Sequence, residues 1–163
     1  MRSILIAAQV LCTLSFCSAQ SNKSATKLET EYYIVAYAQH YRVPVALVRA
    51  IVQHESNWQT CVISAKGAVG LMQLMPVTAA RLGVGDPCNV DQNISGGVRY
   101  VARLMQQFHN DLRLVAAAYY AGDDVIGKRG LAYRTPDVVA YVKAIRTTYL
   151  REMGIEPVAK KHH

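Results

Sequence analysis

Beyond its N-terminus the chain has no apolar run of the roughly 18–20 residues that a membrane-spanning helix needs, so its body does not read as an integral membrane protein. Ten Gly and five Pro in 163 residues are ordinary usage and exclude collagen-like and low-complexity classes. No internal repeat is present, and alternating β patterns are scarce. Acidic residues are few, 11 against 18 Lys and Arg, for a formal net charge of +7. The basic residues are scattered and come with no RNA- or DNA-binding signature, so nucleic acid is not an expected partner. The excess suits a polyanion such as an acidic wall polymer or an anionic membrane surface. At 52% hydrophobic and 18% charged residues, the chain has the apolar content for one folded domain and is not disordered throughout.

Several catalytic motifs are absent as well. His54-Glu55 begins like the zinc-protease HExxH, but Trp58 stands where the second His is needed. Ser95-Gly96-Gly97 lacks the leading Gly of a nucleophile elbow. Gly67-Ala68-Val69-Gly70 lacks the Lys-Ser/Thr of a phosphate loop, and no GxGxxG follows a strand. Neither a metal nor a cofactor is expected.

Residues 1–19 read as a secretory signal: Arg2 supplies the positive region, Ile4 to Phe16 is mostly apolar, and Cys17-Ser18-Ala19 forms a small-x-small cleavage site. An uncleaved anchor and a lipoprotein attached through Cys17 are the alternatives. Export implies a periplasmic or secreted protein. Four cysteines then divide two and two. Cys12 and Cys17 leave with the signal, and Cys61 and Cys88 remain in an oxidising compartment. A disulfide between them is the default, against two separate buried thiols; a zinc site is short of ligands. Residues 20–30 are polar and read as a flexible lead-in, and residues 155–163, ending Lys-Lys-His-His, as a disordered tail.

The body, residues 31–154, reads as all-α, with about six or seven helices. Tyr33, Ile34, Tyr37, Ala38 and Tyr41 make a helical stripe over Glu31 to Arg42. Pro44 fits the first turn of a second helix, whose stripe runs Val48, Ile51, Val52. Pro76 is a break or a helix start. Asp91 or Asn93 can cap a helix to about His109, and Asp111 the next, which ends at Gly122. Thr135-Pro136-Asp137 combines a cap, a first-turn proline and a first-turn acid for a last helix closed by Gly154.

Glu55 continues the Val48, Ile51, Val52 stripe to the C-terminal end of its helix. A carboxyl there is desolvated and meets the negative end of the helix dipole. Both effects raise its pKa, and a carboxyl protonated near neutral pH is what a general acid needs.

Glu55-Ser56, the run Ser64-Ala65-Lys66-Gly67-Ala68-Val69-Gly70-Leu71-Met72-Gln73-Leu74-Met75-Pro76-Val77-Thr78-Ala79, Asn93-Ile94 with Gly97 and Tyr100, Ala118-Tyr119-Tyr120-Ala121-Gly122, and Tyr141-Val142 follow in this order. Together they resemble the soluble lytic transglycosylase family, the lysozyme-like murein-cleaving domain, from about Pro44 to Val142. The resemblance implies a lysozyme-like α fold with a groove for peptidoglycan glycan strands. It implies Glu55 as the single catalytic acid/base and Ser56 as support for local geometry. It places Ser64, Met72, Gln73, Tyr119 and Tyr141 along the groove. The implied reaction cleaves between N-acetylmuramic acid and N-acetylglucosamine and leaves a 1,6-anhydro end. Small members often serve secretion, conjugation or pilus systems, whose components are then expected partners.

Two positions depart from the family pattern: Tyr120 stands for an Asn, and Asp137-Val138 for Glu-Thr. Two other readings accompany this one. A lysozyme-type hydrolase on the same fold would need a second carboxylate, from Asp86, Asp91, Asp123 or Asp124. A non-catalytic wall-binding or assembly module would need none.

Overall fold

The computed structural model describes residues 26–155; the signal reading of 1–19, residues 20–25 and most of the tail lie outside them. The described residues form seven α-helices: α1 over 26–41, α2 Val45–Ser56, α3 Pro76–Arg81, α4 Val90–Gln107, α5 Leu112–Ala121, α6 Asp123–Arg129 and α7 Pro136–Glu152, with a 3-10 turn at Gly130–Ala132. Only isolated bridges, Ile63 to Val69 and Val69 to Leu74, depart from helix and loop. No described helix is long and apolar enough to cross a membrane.

α2 is the axis of the core. Leu47, Val48, Ala50, Ile51 and Val52 are all buried, so this helix is covered on nearly every side. Each of its buried Leu, Val and Ile side chains contributes about 1.5–3 kcal/mol by leaving water. Ile94, Val98, Val101 and Leu104 of α4, Val115 to Ala118 of α5, and Val138 and Ile145 of α7 complete the same cluster. α4 is the most amphipathic helix by pattern: its apolar residues recur at three- and four-residue steps.

Capping chemistry places the helix starts. Asp111 accepts from the Arg113 amide, and Thr135 accepts from the Val138 amide ahead of Pro136, as the sequence predicts. The start of α4 needs correction. Its cap is Asn89, whose side chain accepts from the Gln92 amide, rather than Asp91 or Asn93. Asp91 instead accepts from the Tyr37 hydroxyl at 2.5 Å, and Asn93 is fully buried.

The flexible lead-in to residue 30 is corrected too. α1 already runs from residue 26, because Thr30 is buried and its hydroxyl bonds back to the Thr26 carbonyl at 2.8 Å. Further along α1, Tyr33, Tyr37 and Tyr41 stack with ring centroids 6.1 and 6.4 Å apart. Arg49 of α2 joins both chain ends of the fold: it pairs with Glu31 of α1 at 2.9 Å and with Glu152 of α7 at 3.8 Å.

Cys61 and Cys88 form the expected disulfide, with Cα atoms 4.6 Å apart across a separation of 27 residues. It ties the loop after α2 to the start of α4. Closing a loop of that length restricts the unfolded chain, an effect of about 3 kcal/mol in the chain-entropy model. Cys61→Ala/Cys88→Ala is therefore expected to lower the thermal midpoint by about 10 °C, read by calorimetry without reductant. An unchanged midpoint would show that the bridge restrains nothing the fold does not already fix.

Candidate active site

α2 ends at Ser56, whose buried hydroxyl returns to the Val52 carbonyl at 3.1 Å. Asn57 and Trp58 then both adopt left-handed backbone, φ 49° and 65°. For non-glycine residues this is an uncommon and strained pair, and it turns the chain sharply away from the helix end. Glu55 is thereby left half-buried at the helix terminus, with the fully buried Val48, Ile51 and Val52 beneath it.

The carboxyl of Glu55 accepts a hydrogen bond from the Tyr141 hydroxyl at 2.5 Å. Burial pushes its pKa above the ordinary value of 4.5, and the Tyr141 bond, by favouring the carboxylate, draws it part of the way back. No charged group contributes to the shift. Tyr141 and Tyr119 are both held neutral, their pKa values raised well above the usual phenol by burial first and the Glu55 charge second. Three groups from α2, α5 and α7, Glu55, Tyr119 and Tyr141, thus meet electrostatically.

The loop 61–75 joins this group through Tyr119, and its shape follows from a few residues. Ser64 closes a turn: its hydroxyl accepts from the Ala68 amide at 3.0 Å, and its own amide donates to the Ala68 carbonyl. Gly70 has φ 84°, and a Cβ there would sit 2.2 Å from the Pro87 carbonyl oxygen, so only glycine fits. Gln73 is itself left-handed, φ 47°, and its amide nitrogen donates to the Val62 and Gly70 carbonyls, both at 2.9 Å. The Tyr119 hydroxyl donates to the Met72 carbonyl at 2.6 Å and so pins this loop to α5.

The expectation that Met72 lines the groove is corrected for its side chain, which is fully buried. The thioether fills the space above Gly97, where a Cβ would come within 2.2 Å of its sulfur. What Met72 offers near the site is backbone. Ser64 likewise has its partners within its own loop. Gln73 does face a cleft, which it shares with Thr78, Tyr100, Tyr119 and Tyr120.

Asn93, expected as a helix cap and among the residues that carry the resemblance, is a structural residue of the site. Asn93 accepts from the Met72 amide at 2.8 Å and donates to the Val69 and Pro87 carbonyls at 3.1 and 2.8 Å. The available signal was its place on the apolar face of α4, four residues before Gly97 and one before Ile94. A buried side-chain amide there must be satisfied by backbone.

The acids considered as a second carboxylate are engaged elsewhere. Asp91 takes the Tyr37 hydroxyl, Asp123 pairs with Arg103 at 3.0 Å, and Asp86 accepts from the Cys88 amide at 2.9 Å. Asp124 lies in a separate cleft with Lys128, Arg129 and Tyr133. Among the described residues no group of three or more His, Cys, Asp or Glu gathers as a metal site.

Residues 32–137 match the family profile of the transglycosylase SLT domain. The chain is similar to the membrane-bound lytic murein transglycosylase F of Pseudomonas fluorescens, 33% identical over 152 residues, covering 78% of this chain and 31% of that protein. It is similar to the soluble lytic murein transglycosylase of Escherichia coli, 33% identical over 120 residues, covering 67% of this chain and 19% of that protein. Among solved structures, the 70 kDa soluble lytic transglycosylase of Escherichia coli superposes with a TM-score of 0.66 at 27% identity, over 77% of this chain and 24% of that one. The chain thus spans a fifth to a third of the length of these proteins. The all-α, lysozyme-like arrangement expected from sequence is the one observed, and with the profile covering most of the described helices, the chain belongs to the transglycosylase SLT domain family.

Proposed function

We propose that the protein is a peptidoglycan lytic transglycosylase of the bacterial wall, with Glu55 as its one acid/base. The observation that carries this reading is the state of Glu55: a half-buried carboxyl, acid-shifted by burial, bonded by one neutral phenol and influenced by no second carboxylate. An inverting hydrolase needs a second carboxylate as base and a retaining one needs it as nucleophile. A carboxyl acting alone suits a reaction in which one group gives a proton and then takes another.

In that reaction the neutral Glu55 carboxyl protonates the oxygen joining N-acetylmuramic acid C1 to N-acetylglucosamine C4. The C1–O bond breaks, and the electron pair leaves with that oxygen as a hydroxyl. The Glu55 carboxylate then takes the proton of the muramoyl 6-hydroxyl while O6 bonds to C1. The products are a 1,6-anhydromuramoyl end and a free N-acetylglucosamine 4-hydroxyl, with Glu55 protonated again and no water consumed. Tyr141 fixes the carboxyl in place through its hydroxyl, and Tyr119 holds the loop 61–75. The excess of basic residues supports action on an anionic wall. The reading extends to an exported enzyme that opens the wall locally for a secretion, conjugation or pilus system, on the strength of the sequence resemblance and the signal-like N-terminus.

Digestion of isolated sacculi followed by mass spectrometry tests the activity. Muropeptides with 1,6-anhydro ends support it; reducing ends would assign a hydrolase, and undigested sacculi a non-catalytic module.

The pH profile supplies a second test. The acid form of Glu55 is the working form, so kcat/KM is expected to fall on the alkaline side as pH passes through the raised pKa. Tyr141→Phe removes a donor that favours the carboxylate, so the alkaline limb is expected to move to higher pH while the rate falls. A limb that moves to lower pH would mean that this phenol does not act on Glu55 as its geometry indicates.

A further inference from the structure

We propose that Tyr120 is a sugar-stacking residue of the cleft, one that sets how tightly the glycan is held beside Glu55. The proposal rests on the transglycosylase reading and adds to it the one position where this chain departs from the family's Ala-Tyr-Asn-Ala-Gly segment.

Tyr119 and Tyr141 interact with the acid directly, whereas Tyr120 is linked to it through the ring of Tyr141, so the three tyrosines are not equivalent. Tyr119 and Tyr141 are half-buried, and each spends its hydroxyl on the protein, at the Met72 carbonyl and the Glu55 carboxyl. Tyr120 is 44% exposed, and its hydroxyl makes no hydrogen bond among the described residues. Its ring rests on that of Tyr141 at 4.8 Å between centroids, tilted by 32°. One side is therefore braced by the phenol that holds Glu55, and the rest of the ring opens into the cleft shared with Gln73 and Thr78. Ala121 and Gly122 follow it, so no bulky neighbour covers the ring from its own helix end.

A large apolar surface left facing water gains nothing for the fold. It gains on meeting the flat C–H face of a pyranose, and the brace on Tyr141 fixes the ring beforehand, so little side-chain freedom is lost on binding. Asn at this place would bring a short amide that reads a polar group. Tyr brings reach and a face, and it grips the sugar ring itself. Its effect falls on substrate binding, because the proton transfers belong to Glu55.

The test measures two quantities on the same variants. Binding of chitohexaose, a β-1,4 N-acetylglucosamine oligomer, is measured by titration calorimetry in the Glu55→Gln background, where nothing is turned over. KM, kcat and the pH profile are measured on sacculi with Glu55 present. Tyr120→Ala is expected to raise both Kd and KM about ten-fold, the worth of roughly one ring face removed from water, with kcat moving little and the alkaline limb in place. Tyr120→Phe is expected to recover most of the lost affinity. Unchanged Kd and KM in Tyr120→Ala would overturn the proposal. So would a fall in kcat at constant KM with a displaced alkaline limb, which would assign Tyr120 to the support of Tyr141. Absence of anhydro products from the wild type overturns the activity reading instead, while the oligosaccharide titration still decides on Tyr120.

Discussion

Glu55→Gln is expected to abolish glycan cleavage while the fold and glycan binding persist. Gln keeps the shape of Glu, and its carbonyl oxygen can still accept from the Tyr141 hydroxyl, but it has no proton to give and no charge with which to take one. General acid–base participation is worth about 10²–10⁴-fold, and here one group serves both proton transfers, so the loss belongs at the upper end. Stability should move the other way. The folded-state pKa of Glu55 lies above its ordinary value because burial disfavours the charged form. Between the unfolded and folded values the folded protein holds a proton that the unfolded chain has released, so stability falls as pH rises through that window. Gln carries no such penalty. The variant is therefore expected to melt with the wild type near about pH 4 and above it near about pH 8. Correctly folded Glu55→Gln that still yields 1,6-anhydromuropeptides would falsify the mechanism.

Asn93→Ala is expected to cost more stability than any other single change discussed, about 3–5 kcal/mol. The side chain is fully buried and satisfies the Met72 amide and the Pro87 carbonyl, for which no other partner exists among the described residues. Truncation leaves both groups dry and unpaired and opens a void between α4 and the loop 61–75. Asn93→Asp separates the contributions: it keeps an acceptor for the Met72 amide but turns an oxygen toward the Val69 and Pro87 carbonyls, so it should be no better tolerated near neutral pH. Urea midpoints report the loss. Because Met72 also carries the carbonyl that Tyr119 grips, activity should drop at temperatures where the variant is still folded. A loss below about 1 kcal/mol would mean that the loop is held by its disulfide and its own turns.

Elements governed by local chemistry were legible in the sequence. The caps at Asp111 and Thr135 and the turn at Gly122 depend on residues within one helical turn of them, and all three fall where expected. Glu55 was legible because its position on an apolar stripe is periodic, and burial follows from that period. Elements decided by distant packing were not. Thr26 to Thr30 is polar in composition, yet Thr30 is buried. Met72 falls in the motif among residues expected to line a groove, but Gly97, 25 positions later, leaves a space that only its side chain fills. Asp91 and Asn93 both read as caps for α4, whereas Asn89 is the cap; only the location of the loop 61–75 decides that Asn93 points inward.

Arg49 holds α1 and α7 against the same point of α2, through Glu31 and Glu152. The first and last described helices are thus tied to one residue, an arrangement in which the described segment begins and ends on one side of α2 and tolerates added chain at either end. The domain is thus portable. It can be carried as a cassette in polypeptides of very different length, which is how it occurs in the relatives, where the matching stretch makes up 31% of one chain and 19% of another.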